Sequence, residues 1–222
     1  MPDRKARRLE SDLACLRNEV RTLAANIEFC SIDEPVKVLG ITSSVPHEGK
    51  TTVSYELGRA MASSGKSVLL MDCDHKNGQL GKKAKMRSRE GLYSVLAGES
   101  ELSQSMVPMD VAGLYLLEIE KSSLDPAAVL ATKRFRNLLA ELRKSWDLVI
   151  IDTPPLSAFV DAAVAAQGAD ATLLVVRDGY TRREAVLAAY DQLKRAGANV
   201  VGTVLNCCRA EPDGYGYGKH YY

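Results

Sequence analysis

The chain has 222 residues, with 46% hydrophobic and 26% charged residues, enough for one sizeable core and ordinary for a soluble globular domain. A formal net charge of +1 excludes a whole-protein field that would draw it to nucleic acid or to an anionic membrane. No apolar run approaches the roughly 18 residues of a spanning helix, so direct membrane insertion is not expected, and Met1-Pro2-Asp3-Arg4-Lys5 leads into no apolar signal segment.

From the N-terminus, Leu9, Leu13, Leu16, Val20, Leu23 and Ile27 recur at helical spacing and predict a helix over Asp3 to Ile27. It serves either as a packing element or as an arm that touches a neighbouring subunit. Val36 to Ile41 reads as a buried strand, and Lys50 to Ser64 as a helix with Val53, Leu57 and Met61 inward. Val68 to Met71 is a second strand. His75 to Arg89 is polar and basic, and reads as a solvated loop or as a basic lip over phosphates or an acidic peptide. Gly91 to Leu96 is a short helix and Leu114 to Ile119 a strand. Asp125-Pro126 opens a further helix, an N-cap followed by proline at the first position. Then come a helix over Lys133 to Lys144, a strand over Leu148 to Ile151, and a helix over Ala158 to Ala166. A strand over Thr172 to Val176, a helix over Arg182 to Ala196 and a strand over Val200 to Leu205 complete the series. Short apolar strands alternating with helices predict an α/β fold, a mostly parallel sheet with helices on both faces. The expected organisation is an N-terminal helix (1–30), one nucleotide-binding domain (31–210) and a flexible tyrosine-rich tail (211–222).

Chemistry concentrates at three strand ends. Ser43-Ser44-Val45-Pro46-His47-Glu48-Gly49-Lys50-Thr51-Thr52 follows a strand and opens a helix, the setting of a phosphate-binding loop. The backbone of Pro46 to Thr52, through its N–H groups from His47 onward, and the helix N-terminus would face phosphate. Lys50 would neutralise it, and the Thr51 hydroxyl would ligate Mg²⁺. Ser44 stands where the usual pattern has its first glycine. Asp72 and Asp74, two apart at a strand end, would share a face and hold a cation between them, unless Asp74 only caps the next turn. Asp152 ends the apolar run Leu148 to Ile151 and precedes Thr153-Pro154-Pro155, where an acid would face the nucleotide and hold a Mg²⁺ water. The fold expected is therefore that of the P-loop NTPases. Cys15, Cys30, Cys73, Cys207 and Cys208 form no Cys-x-x-Cys and read as reduced thiols of a cytoplasmic protein. Carboxylates on both sides of Cys73 disfavour its thiolate, so it is not read as a nucleophile.

Gly49-Lys50-Thr51, Leu70-Met71-Asp72-Cys73-Asp74, Val149-Ile150-Ile151-Asp152-Thr153-Pro154-Pro155 and the tail Tyr215 to Tyr222 together resemble the bacterial tyrosine kinases, the family linked to capsule and exopolysaccharide assembly. The stretches from Gly91 to Gly98 and from Gly202 to Asn206 fit too, and the resemblance spans about Arg21 to Tyr222. It implies ATP and Mg²⁺ as cofactors and transfer of the γ-phosphoryl group to the tail, largely between subunits. Lys50 and Thr51 would hold phosphates and metal, Asp74 and Asp152 would position Mg²⁺, and Asp72 would orient or deprotonate the tyrosine hydroxyl. Tyr215, Tyr217, Tyr221 and Tyr222 would be the acceptors, and Asn206 a contact to the base. The resemblance also implies a separate membrane activator of the polysaccharide co-polymerase type, a partner tyrosine phosphatase, and recruitment of a cytoplasmic kinase to the inner face of the membrane.

The chain departs from the family pattern at several positions. His47 replaces a glycine and Lys76 an arginine, and Asn18 and Ala24 replace two residues of the motif that builds homo-oligomeric rings, leaving Arg21. Two rivals share the nucleotide reading. A partitioning or septum-positioning ATPase would carry a second lysine where Val45 stands. A non-catalytic, nucleotide-dependent scaffold or chain-length regulator would bind nucleotide without transfer.

Overall fold

The computed structural model describes residues 4–29, 34–74, 78–84, 90–120, 124–158 and 161–208. Helix α1 (Arg4–Phe29) leads into β1 (Val38–Ser43), α2 (Lys50–Ser63) and β2 (Val68–Asp72). Three short helices follow, α3 (Gln79–Ala84), α4 (Leu92–Ala97) and α5 (Leu102–Ser105), then β3 (Val107–Pro108) and β4 (Leu114–Glu118). The chain continues through α6 (Pro126–Leu130), α7 (Lys133–Ser145), β5 (Leu148–Asp152), α8 (Asp161–Gln167), β6 (Ala171–Arg177), α9 (Arg183–Arg195) and β7 (Val200–Asn206). The seven strands lie in the order β3-β4-β2-β5-β1-β6-β7, parallel except for the β3–β4 pair.

The central strands are buried on both faces, which is why they read as continuous apolar runs rather than alternating ones. Neighbouring residues serve opposite sides. Leu39, Leu70 and Ile150 pack with Leu57 of α2 and Ile27 of α1. Val38, Leu69 and Val149 pack with Phe135, Leu139 and Leu142 of α7. A third cluster joins Leu174 and Val176 of β6 to Ala162 and Ala166 of α8 and to Ala189 and Leu193 of α9. In α1 the end nearer β1 packs on the core through Val20, Leu23, Ala24 and Ile27, while residues 14–19 are exposed. The packing role expected of this helix thus falls on its second half.

The structure corrects several expectations. The first strand begins at Val38 rather than Val36, because the N–H groups of Lys37 and Val38 donate to Asp170 Oδ2 (3.0 and 2.7 Å). The segment read as a basic loop contains α3, whose Leu80 is fully buried; one apolar residue among lysines gives no periodicity to detect. Helix α5 and the antiparallel strand β3 were not anticipated, since a two-residue strand ending in proline carries no alternating pattern. Helix α8 is described over Asp161–Gln167, ending one residue beyond the predicted Ala166. Asp125 caps α6 as expected, its Oδ1 accepting from Ala127 N at 3.2 Å. The tail tyrosines and Lys76 lie outside the described residues.

Candidate functional site

Strands β1, β2 and β5 lie side by side, and their C-terminal ends bring the predicted site together. The loop after β1 turns into α2 at Gly49, whose φ of 92° lies in the left-handed region. A Cβ there would come within 2.1 Å of Asn206 Nδ2, so glycine is required on two counts. No side chain caps α2, which leaves its N-terminus to an external anion. His47 also sits in the left-handed region, at φ 67°, a costly conformation for a side chain with a Cβ. The family's glycine at this position is explained by the backbone. The His47 ring is exposed.

Glu48 is 1% exposed and turns into the fold. Its Oε2 accepts from Val45 N at 2.6 Å, and its Oε1 accepts from Arg177 N at 3.3 Å and from the Thr181 hydroxyl. Arg177 Nη1 donates to the His47 carbonyl at 3.3 Å. Asn206 Nδ2 donates to the Glu48 carbonyl at 2.8 Å, and Asn206 Oδ1 accepts from Cys207 N at 2.9 Å. Within the loop stretch assigned to nucleotide, the Glu48 side chain therefore braces the loop from below, and the Asn206 side chain holds it from the β7 end. Thr181 and Arg177 were not singled out from sequence. They lie far from the loop in the chain, and only the neighbouring ends of β1 and β6 bring them to it.

The acids meet across the sheet. Asp72 and Asp152 are register partners on β2 and β5. Lys50 Nζ pairs with Asp74 Oδ2 at 2.9 Å, with side-chain exposures of 12% and 1%. Asp152 Oδ1 accepts from the Ser54 hydroxyl at 3.1 Å, whereas its Oδ2 is buried with no hydrogen-bond partner. Asp72 Oδ1 accepts from Asp74 N and its Oδ2 from Leu80 N, both at 3.0 Å. Asp72 thus caps the turn that leads into α3. Cys73 is buried between them, its N–H donating to the Asp152 carbonyl at 2.8 Å.

This is a charge imbalance. Burial, reinforced by the Asp152 charge, pushes the Asp72 carboxyl up to about 8 against its two backbone bonds. Burial pushes Asp152 up to about 6, against the opposing pull of Lys50 and of the Thr51 and Ser54 hydroxyls. Burial works to lower Lys50, but the charges of Asp152 and Asp74 outweigh it and hold the ammonium above its usual value. Among the described residues Lys50 is the cation that faces the carboxyls of Asp72, Asp74 and Asp152, and a further cation would relieve the excess. The unpartnered Asp152 oxygen and the Thr51 hydroxyl fit Mg²⁺. Among the described residues no three His, Cys, Asp or Glu side chains form a metal cage.

The family model described as AAA domain matches residues 36–196. Tyrosine-protein kinase CpsD of Streptococcus pneumoniae is 34% identical over 198 residues, covering 88% of this chain and 86% of that one. The solved kinase domain of the Escherichia coli tyrosine kinase ETK superposes with a TM-score of 0.80 at 30% identity, covering 91% of this chain and 80% of that one. The chain belongs to the bacterial tyrosine-protein kinases. The septum site-determining protein MinD of Pyrococcus horikoshii, solved with Mg-ADP, matches at a TM-score of 0.63 and 23% identity over 76% of this chain and 69% of that one, a likeness of fold alone. The kinase is thus a P-loop NTPase-like α/β protein, and among its described residues no helix is long and apolar enough to cross a membrane.

Proposed function

We propose that this kinase transfers the γ-phosphoryl group of Mg²⁺·ATP to its own C-terminal tyrosines, Tyr215, Tyr217, Tyr221 and Tyr222. The observation that carries the reading is the buried Lys50–Asp74 pair beside Asp152, whose second oxygen has no protein partner, at the open N-terminus of α2. Backbone N–H groups from His47 to Thr52, in the loop that Pro46 helps shape, hold the phosphates, and Lys50 leaves Asp74 to neutralise the outer ones. Thr51, Asp74 and Asp152 hold the metal. Bound there, Mg²⁺ offsets charge on the transferring group and on the leaving diphosphate. Asp72 accepts the phenolic proton as the tyrosine oxygen attacks phosphorus. Its raised pKa suits a proton acceptor near neutral pH, since a phenol ionises only near ~10. Its bond from Leu80 N has to loosen as the tyrosine enters.

By the same reading the kinase is cytoplasmic and regulates capsule or exopolysaccharide synthesis. It works with a membrane activator of the polysaccharide co-polymerase type and with a tyrosine phosphatase, and a homo-oligomer built through α1 draws on Arg21 alone of the ring motif. Intact-mass spectrometry after incubation with Mg²⁺·ATP, alone and with a candidate activator's cytoplasmic segment, tests the reading. Steps of one phosphate that map to the tail and vanish in Lys50→Met support it. A tail that stays bare under both conditions overturns it, in favour of an ATPase if ATP is hydrolysed and of a scaffold if nucleotide only binds.

A further inference from the structure

Beyond the nucleotide site, the end of β7 carries two neighbouring thiols, Cys207 and Cys208, both exposed and neither in a disulfide. Cys207 is one of only two non-glycine residues with positive φ among those described, at 60°; the other is His47 in the phosphate loop. The two strained residues are connected by a short relay. Cys207 N–H donates to Asn206 Oδ1, which orients the amide so that Nδ2 donates to the Glu48 carbonyl. That carbonyl immediately precedes Gly49, whose missing Cβ is what admits the Asn206 amide. The Asn206 carbonyl is itself held by Asp178 N at 2.9 Å, so the strand end is fixed and the side chain is the adjustable part.

We infer that Cys207 and Cys208 form a thiol-modification site for low-molecular-weight disulfides, and that closing them into a vicinal disulfide releases the Asn206 brace on the phosphate loop. The exchange is balanced. The Cys207 thiolate attacks the reagent RS–SR, forming Cys207–S–SR and releasing one RS⁻. The Cys208 thiolate then attacks Cys207 Sγ, forming the intrachain bond and releasing the second RS⁻. Two protein thiols are oxidised, one reagent disulfide is reduced to two thiols, and the protein's two protons pass to solvent or to the released thiolates. The order follows from the surroundings: Cys208 Sγ–H donates to the Leu205 carbonyl at 3.4 Å, and burial together with Asp178 pushes its thiol up, so Cys207 is the first nucleophile.

The backbone must move when the ring closes. Adjacent Cα atoms across a trans peptide are about 3.8 Å apart, less than the ~4.4–6.8 Å that disulfides usually span. Cys207 already occupies a strained region, and the new bond forces its φ, ψ and peptide plane to adjust. Its N–H is the donor that aligns Asn206. Once that donor turns away, the amide no longer presents Nδ2 to the Glu48 carbonyl, and the loop loses its tie to the Asn206 side chain.

This rests on the nucleotide-site reading, and the test separates the two. The full chain is treated with cystamine, and the bond is located by non-reducing peptide mapping. Hydrogen exchange of the Gly49 to Val53 amides is followed without nucleotide, and Mg²⁺·ADP affinity is measured before oxidation, after it, and after dithiothreitol. The expected result is a Cys207–Cys208 disulfide, faster exchange in the loop, and an affinity loss on the order of tenfold, the scale of one bridging hydrogen bond, reversed by reduction. Cys208→Ser should keep both its loop protection and its affinity under the same treatment. A mapped disulfide with unchanged loop exchange overturns the inference, as does an equal loss in Cys208→Ser or the absence of the bond. If the reduced chain fails to bind Mg²⁺·ADP, the nucleotide reading falls, while hydrogen exchange still decides the coupling.

Discussion

Two aspartate-centred groups, one around Asp170 alone and one of three acids, lie at opposite ends of the same sheet. At the start of β1, Asp170 is satisfied throughout: Oδ2 accepts from Lys37 N and Val38 N, and Oδ1 accepts from Arg143 Nε at 2.9 Å and pairs with Arg143 Nη2 at 2.8 Å. Arg143 also donates to the Gly168 carbonyl at 2.6 Å. At the far end, Asp72, Asp74 and Asp152 gather around Lys50, the one lysine among the described residues that pairs with them, and a buried Asp152 oxygen is left over. The first cluster ties α7, β1 and the turn before β6 together. The second is held together by the surrounding fold in spite of its charge, and binding of a cation is what would settle it. Stability and chemistry are thus divided between the ends of one sheet.

Substitutions at each end should separate these roles. The largest effect is expected from Lys50→Met, which should lower tail phosphorylation on the order of 10³-fold or more, read by intact mass, because the charge that neutralises the outer phosphates is gone. Asp170→Ala should leave nucleotide affinity unchanged and cost about 2–3 kcal/mol in chemical denaturation, since two backbone donors and a guanidinium lose their acceptor. An equal loss of nucleotide affinity there would blur the division.

The acidic end should also reveal itself through pH. Asp72 and Asp152 have native pKa values raised above those of the unfolded chain. Between roughly pH 4 and 8 the native state therefore keeps protons that the unfolded state has lost, and stability falls as pH rises through that window. Metal-free protein should melt lower at pH 8 than at pH 5, and Mg²⁺·ADP should flatten the profile. Asp152→Asn should raise metal-free stability at pH 8 by about 1–2 kcal/mol while abolishing transfer. A melting temperature that rises across this window would contradict the account. The smallest effect is expected from His47→Gly, a gain of about 1 kcal/mol or less from relief of the left-handed strain, measured by thermal melting.

Much of the fold was legible because the central strands are buried on both faces, so runs such as Val68 to Met71 and Leu148 to Ile151 stand out without alternation. The short edge pieces were not: α3 shows one apolar residue among lysines, and β3 is two residues long. At the site, Lys50, Asp74 and Asp152 were readable because each ends or follows a strand in a phosphate-loop order. The bracing by Glu48, Arg177 and Thr181 was not, because it depends on β1 and β6 being neighbours, which no local pattern reports. Asn206 was noticed for its place at a strand end and, by resemblance, as a contact to the base; that its side chain also holds the loop backbone had no signal in the sequence.

The central claim, that the acidic end is a Mg²⁺·nucleotide site, is tested most directly by calorimetry of ADP binding at pH 7 in two buffers of different ionisation enthalpy, with Mg²⁺ and with EDTA. The account predicts Mg²⁺-dependent binding that releases protons from the Asp72–Asp152 pair, with the release diminished in Asp152→Asn. Binding that is equally tight in EDTA and independent of the buffer, or no binding at all, would contradict it.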